Sequence, residues 1–183
     1  MKYILKPAAT LFITAVIVVA ALSVAYNYTK EPIEKQKRKT QEAAMKQVLS
    51  NASVYREIQT GISGSISAVY EGLSGSVLIG YVVQLSPAGY SGNIDLMVGI
   101  SASEEKITGM RVLKHTETPG LGSLAVKEDF YSRYNGKSLV PLSVVRSSPT
   151  ENEIQAITSA TITTKAITGA VNEAIEWFIG RDK

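Results

Sequence analysis

The stretch VLIGYVVQLSPAGYSGNIDLMVGI, residues 77–100, decides the fold. Apolar side chains occupy alternate positions at its beginning and again near its end. These positions are Val77, Ile79, Tyr81, Val83 and Leu85, and then Ile94, Leu96, Val98 and Ile100. The segment between them, SPAGYSGN, is rich in turn-forming residues, so the stretch predicts two strands joined by a loop.

A strand is predicted on each side of this pair, at Ile66 to Glu71 and at Lys106 to Leu113. Gly-rich or charged turns separate the four strands. Because these connections are too short for helical crossovers, we expect an antiparallel sheet.

The last element of the chain is predicted to be an amphipathic helix that Gly180 ends. Its apolar residues recur at helical spacing and form one face: Ile167, Ala170, Val171, Ala174, Ile175, Phe178 and Ile179. Such a face packs on a sheet, so the fold class is α+β. We also predict a short helix around Leu124 to Arg133 and a strand at Leu139 to Val145. Trp177 and Phe178 are expected to pack the helix rather than touch a ligand.

The N-terminal part of the chain lacks charged side chains from Pro7 to Thr29. An apolar helix of roughly 20 residues spans a bilayer, so we expect a single retained transmembrane anchor at residues 1–29. A cleaved signal peptide is the alternative. We expect a charged helical connector at residues 30–60 and the α+β domain at residues 61–183. Counting lysines and arginines on both sides of the anchor favours a cytoplasmic domain.

The positive charge of the chain belongs to the flanks of this anchor. The whole chain has a net charge of +3, whereas from Gln47 onward 11 Lys and Arg face 13 Asp and Glu, a net charge of −2. The folded part is therefore not basic, which argues against nucleic acid as a partner. The basic residues beside the anchor are suited to anionic membrane lipid.

The residue counts also exclude several kinds of site. With no cysteine and one histidine, the chain has no disulfide, no thiolate-bound metal or iron–sulfur cluster, and no His-rich metal site. We therefore predict no metal site. His115 is expected to be a turn or surface residue, and no residue is assigned a catalytic role.

Two segments stand apart from this scaffold. In HTETPGLG, residues 115–122, Pro119-Gly120 predicts a type II turn, and Gly122 allows the backbone to approach a neighbour closely. ITSATITT, residues 157–164, places hydroxyl groups just before the terminal helix. These hydroxyls suit N-capping, but the same geometry also suits phosphate binding.

The order and spacing of these two segments resemble the FMN-binding domain of the G subunit of the Rnf electron transport complex, which is also shared by the C subunit of sodium-pumping NADH:quinone reductase. The resemblance covers nearly the whole chain. In that family a flavin transferase links FMN through its phosphate to the threonine of a [Ser/Thr]-Gly-Ala-Thr motif. Ser159 stands where the family usually has Gly, and Gln155 stands where Asp commonly opens the motif. If that position needs a positive φ, Ser159 costs on the order of 1 kcal/mol.

The resemblance implies that FMN is attached covalently to Thr161 through a phosphoester. It places the other cofactor-binding residues in the same two segments: Thr158, Ser159, Ala160, Ile162, Thr163 and Thr164, and Glu117, Thr118, Pro119, Gly120, Leu121 and Gly122. Thr118 and Leu121 are expected at the flavin ring. The residues alone do not decide whether Glu117 faces flavin or solvent.

The function implied by the resemblance is that of an electron-transfer subunit in a membrane-bound, ion-translocating ferredoxin:NAD oxidoreductase. Such a subunit is a carrier without a catalytic centre of its own. Its partners are the other membrane and peripheral subunits and a flavin transferase, and its FMN domain is extracytoplasmic, against the lysine count. The alternative is an extracytoplasmic flavin-binding or scaffolding module without redox turnover.

Overall fold

The computed structural model describes residues 2–60 and 64–181, with the side chains of residues 6–58 and 64–181. Residues 61–63 and 182–183, at the ends of the predicted α+β domain, lie outside the described residues. The chain divides into two compact units, Met1–Thr40 and Gln41–Lys183.

The first unit is helical throughout its described residues. It belongs to helix α1, Lys2–Val48, which is long and apolar enough to cross a membrane. No residue of its most apolar stretch is buried within the chain. Large apolar side chains such as Leu11, Phe12 and Ile17 are more than half exposed. This agrees with the predicted membrane anchor, since lipid would cover these side chains.

The second unit is built on a five-stranded antiparallel sheet. Its strands are β1 Val54–Thr60, β2 Ile66–Ser74, β3 Val77–Leu85, β4 Asp95–Ser101 and β5 Ile107–Lys114. They pair in sequence order, each with the next. The predicted antiparallel sheet is confirmed, and β3 has the predicted bounds.

The elements after the sheet are shorter than predicted. The expected helix around Leu124 to Arg133 is divided into a 3-10 helix Gly122–Val126, helix α2 Glu128–Tyr131 and a 3-10 helix Ser132–Tyr134, because Lys127 is extended. The expected strand at Leu139 to Val145 is wrong before Ser143, since Pro141 lacks the N–H that a ladder needs. The strands β6 Ser143–Val145 and β7 Glu153–Gln155 pair in parallel.

Helix α3, Thr161–Gly180, covers one face of the sheet, as predicted. Its residues Ile167, Val171 and Ala174 are buried in one core with strand residues such as Val83 and Val98. Trp177 and Phe178 both pack edge-on against Tyr81, which confirms their expected packing role.

The other face of the sheet is covered by the last turns of α1. There, buried residues at the end of α1 and Leu49, which follows it, form a second core with residues of β2, β3 and β4: Ala44, Met45, Val48 and Leu49 with Ala68, Tyr70, Val82 and Met97. The predicted helical connector at residues 30–60 is wrong beyond Val48, where α1 ends. Residues 54–60 form β1 instead, because VYREIQT is rich in β-branched and aromatic residues, which favour strands.

Candidate functional site

The candidate site lies where two loops of the sheet meet the beginning of helix α3. The loop between β3 and β4 contributes Tyr90, and the loop after β5 contributes residues 117–122. A cavity of about 380 Å³ opens between these loops and the first turn of α3. Its lining residues are Tyr90, Glu117, Thr118, Leu121, Gly122, Ser159, Ala160, Thr161, Ile162 and Thr163. We call it the main cavity.

A second cavity of about 300 Å³ adjoins it and shares Ser159 and Thr161 with it. We call it the side cavity. Its other lining residues are Arg146, Ala156, Ile157 and Thr158. Arg146 is the only charged residue among those that line the side cavity. Thr161 thus stands at the boundary between the two cavities.

The main cavity is held together by the carboxylate of Glu117. Its Oε1 accepts hydrogen bonds from the backbone N–H groups of Tyr90 (2.8 Å) and Ser91 (3.0 Å). Its Oε2 accepts one from the hydroxyl of Thr163 (2.6 Å). These bonds join the β3–β4 loop, the loop after β5 and helix α3. Glu117 is only 6% exposed, so the structure buries a side chain that the sequence left undecided.

The bonds to Glu117 also favour its charged form. Burial acts to raise the pKa of this carboxyl, but the hydrogen bonds from Thr163, Ser91 and Tyr90, with a contribution from His115, hold the pKa below its usual value. His115 accepts a hydrogen bond at Nδ1 from the backbone N–H of Glu117 (3.2 Å), which agrees with the turn role expected of it.

The glycines of the loop behave as the sequence indicates. The N–H of Leu121 donates to the carbonyl of Thr118 across 3.2 Å, and Gly120 has a φ of +78°, as a type II turn at Pro119-Gly120 requires. A Cβ on Gly122 would collide with the Glu117 carboxylate and approach the Thr163 hydroxyl to 2.7 Å. The close approach predicted at Gly122 is therefore to this hydrogen-bonded pair.

The hydroxyl cluster before α3 does not cap the helix. The N-cap residue is Ala160, which makes no side-chain capping hydrogen bond, so the expected N-capping is wrong. Thr164 instead accepts a hydrogen bond from the N–H of Ile157 (3.1 Å) and donates one to the carbonyl of Ala160 (3.0 Å). The free N–H groups of the first turn remain available to a ligand.

The three threonines of the first turn therefore differ. Thr163 is 1% exposed and bonded to Glu117, and Thr164 is fully buried and bonded to the backbone. Thr161 is half-buried, and within the part of the chain that the structure describes its hydroxyl has no hydrogen-bond partner.

Ser159 has a φ of +63°, in the left-handed region. The position that is usually glycine in the motif therefore does require a positive φ in this chain. The serine adopts this conformation at a cost of about 1 kcal/mol.

The structure brings together most of the residues that the sequence proposed. Of these, Pro119, Gly120 and Thr164 line neither cavity, and Thr158 lines only the side cavity. Tyr90, Arg146, Ala156 and Ile157, which also line the cavities, were missed. An aromatic residue in a glycine-rich loop is a weak signal for Tyr90, and a lone cation shortly before the hydroxyl cluster is one for Arg146. Residues 2–60 and 64–181 contain no group of three or more acidic or histidine side chains that could hold a metal.

Comparison with known proteins gives consistent matches. The family described as FMN-binding domain matches residues 89–176, and the family described as RnfG N-terminal region matches residues 1–48. The chain is 32% identical to the G subunit of the ion-translocating oxidoreductase complex of Methanosarcina acetivorans, over 96% of this chain and 95% of that protein.

Two further proteins agree with these family matches. The chain is 34% identical to the G subunit of the Na(+)-translocating ferredoxin:NAD(+) oxidoreductase complex of Acetobacterium woodii, over 96% of this chain and 91% of the relative. The crystal structure of the C subunit of the Na(+)-translocating NADH-quinone reductase from Parabacteroides distasonis has the same fold. Its TM-score is 0.60 at 16% identity, over 80% of this chain and 94% of that one.

Proposed function

The chain belongs to the family of G subunits of ion-translocating oxidoreductase complexes, and on that premise we propose that it is a membrane-anchored electron-transfer protein with FMN on Thr161. The complex is of the Rnf type, which transfers electrons between ferredoxin and NAD, as named for the relative from Acetobacterium woodii. The other membrane and peripheral subunits are its partners, and they hold the NAD site and the ion channel.

The observation that carries this proposal is the position of the Thr161 hydroxyl. It lies at the boundary of the two cavities and has no hydrogen-bond partner among the described residues, whereas the hydroxyls of Thr163 and Thr164 are buried and already hydrogen-bonded. A phosphoester requires a hydroxyl that a flavin transferase can reach. Thr161 alone among these three meets that requirement.

The residues present fit FMN. The cavity volumes, about 380 and 300 Å³, suit an organic cofactor. Tyr90, Leu121 and Ile162 offer aromatic and aliphatic surface in the main cavity for the flavin ring. The uncapped first turn of α3 offers N–H donors and a partial positive charge to the phosphate.

Arg146 supplies the cationic side chain of the side cavity, while the carboxylate of Glu117 lies in the wall of the main cavity. This separation of charge favours the phosphate on the side of Arg146 and the ring on the side of Glu117. When bound, FMN supplies a ring that accepts electrons and passes them on; the chain supplies attachment, orientation and electrostatics.

Covalent attachment suits the extracytoplasmic location that we propose for this domain. A tethered cofactor does not depend on the concentration of free FMN, which is scarce outside the cytoplasm. Helix α1 then acts as a single-pass signal anchor in the cell membrane, and lipid contacts its exposed apolar side chains.

The proposal is tested by expressing the full chain with a flavin transferase and examining it on a denaturing gel under ultraviolet light. We expect a fluorescent band, and an intact mass that exceeds the polypeptide by one esterified FMN. Thr161→Ala should lose both signals. Thr150→Ala, at an exposed threonine outside both cavities, should keep them. Fluorescence that persists in Thr161→Ala would refute the attachment site.

A further inference from the structure

Glu117 is the only charged residue among those that line the main cavity. We propose that its carboxylate sets the reduction potential of the flavin by placing a fixed negative charge beside the ring. This inference rests on the proposed function, because it requires FMN in the main cavity. It gives Glu117 a role in addition to binding the loops together.

Because Glu117 lines the main cavity, a ring that occupies this cavity lies beside its side chain. We take about 9 Å as the separation between the carboxylate and the charge on the ring. With an effective dielectric constant of about 20, two unit charges about 9 Å apart interact strongly enough to change an equilibrium constant about 20-fold.

The carboxylate is also fixed in place. Both of its oxygens accept hydrogen bonds, Oε1 from two backbone N–H groups and Oε2 from Thr163. The backbone at Gly89 and Gly122 leaves no room for a Cβ beside it. Because the side chain is only 6% exposed, water screens its charge little.

The direction of the effect follows from the charge balance of the reaction. An oxidised flavin that takes up two electrons and one proton becomes an anion, and the negative charge of Glu117 disfavours that product. The electrons come from the redox partners of the complex, or from dithionite in a titration. Removing the charge of Glu117 should therefore raise the midpoint potential.

Glu117→Gln is a suitable variant because an amide can keep the hydrogen bonds. Its oxygen can accept from the N–H groups of Tyr90 and Ser91, while its NH₂ group can donate to the Thr163 hydroxyl, which accepts as well as donates. Only the charge is lost. His115 also faces this carboxylate, so all chains are titrated at the same pH.

The experiment is a spectroelectrochemical titration of the full chain loaded with FMN. We expect Glu117→Gln to favour the reduced flavin about 10- to 20-fold, which raises the two-electron potential by about 30–40 mV. Two controls keep the carboxylate of Glu117 and should change the potential by less than half as much. Thr163→Val removes one of its hydrogen bonds, and Glu128→Gln removes a negative charge from an exposed position on α2.

A loaded Glu117→Gln chain with an unchanged potential would overturn the inference. If Glu117→Gln does not fold or accept FMN, Glu117→Asp, which keeps the charge, is compared with Glu117→Asn, which loses it, and equal potentials in that pair would overturn the inference. A wild-type chain that carries no FMN would instead count against the proposed function, so the two failures are distinct.

Discussion

The hydroxyl of Thr163 donates a hydrogen bond of 2.6 Å to Oε2 of Glu117, and this bond joins the first turn of α3 to the loop after β5. Both side chains are buried. The two residues are 46 positions apart in the chain. The bond therefore fixes the wall of the main cavity by linking two segments that meet only in the folded state.

We predict that Thr163→Val lowers the free energy of unfolding by about 2 kcal/mol, because a buried carboxylate loses a donor while the shape of the side chain is preserved. The measurement is urea denaturation of the full chain in detergent, followed by the fluorescence of Trp177, which packs on Tyr81. Thr158→Val makes the same change at an exposed position and should cost less than about 0.5 kcal/mol. Equal costs for the two variants would contradict the prediction.

The pH dependence of stability should also report on Glu117. Its pKa is lower in the folded chain than in the unfolded chain, so the unfolded chain binds more protons as the pH falls. The stability that its charge provides is complete above the usual carboxyl pKa of about 4.3 and is lost as the pH falls through the lower, folded-state pKa.

We therefore expect the wild-type chain to be more stable than Glu117→Gln at neutral pH, and this advantage to shrink below about pH 4.3. Glu153, whose pKa is lowered by hydrogen bonds from Thr150, titrates in both chains and cancels in the difference. A difference that stays constant down to acid pH would mean that the charge of Glu117 does not stabilise the fold.

Ser159→Gly should stabilise the chain. Relief of the left-handed conformation at φ +63° gains about 1 kcal/mol, and the greater entropy of glycine in the unfolded chain offsets part of this, so the net gain is at most about 0.5 kcal/mol. Ser147→Gly is the matched control, because Ser147 is not among the residues with a positive φ, and it should destabilise slightly. The same urea titration measures both. A loss of stability in Ser159→Gly would contradict the strain that we assign to Ser159.

Arg146→Gln should slow the loading of FMN about fivefold, because the phosphate loses an exposed charge-assisted contact of about 1 kcal/mol. The rate is measured as flavin fluorescence gained with time at a low concentration of the transferase. Lys165→Gln removes a positive charge from helix α3. Lys165 lines neither cavity, so this variant should load at the wild-type rate. Equal rates for both variants would remove Arg146 from the phosphate site.

The sheet could be predicted from the sequence because its signals are local. Alternation of apolar residues and the turns between them define β2 to β5 without knowledge of the rest of the fold. The end of α1 could not be predicted in the same way. Ala44, Met45 and Val48 are too few to define a packing face, and their partners Val82 and Met97 lie on a distant part of the chain.

The site was predicted at the level of segments but not of individual side chains. Thr161, Thr163 and Thr164 are the same residue type within four positions, and only the start of α3 at Thr161 decides which way each one points. Successive residues of a helix are rotated by about 100° around its axis, so one threonine can point into a cavity while its neighbours point into the core. Glu117 was undecided for a similar reason, because two of its donors are backbone groups of Tyr90 and Ser91.

The packing of the last turn of α1 on the sheet gives a final prediction, in which one substitution has opposite effects at two glycines. A Cβ on Gly99 of β4 would collide with the carbonyl oxygen of Val48 and approach the Thr108 hydroxyl, which itself hydrogen-bonds to that carbonyl. Gly99→Ala should therefore cost about 2–3 kcal/mol. Gly169 is exposed in α3 and a Cβ there meets nothing within 4 Å, so Gly169→Ala should gain about 1 kcal/mol from helix propensity.

Both variants are compared by the same urea denaturation, and the sign of each change is the decisive result. Because Gly99 lines neither cavity, the Gly99→Ala chain that remains folded should still be loaded with FMN on Thr161. A Gly99→Ala chain as stable as the wild type would mean that β4 does not lie against Val48. Loss of FMN loading in chains that remain folded would mean instead that the packing of α1 on the sheet controls the site on its opposite side.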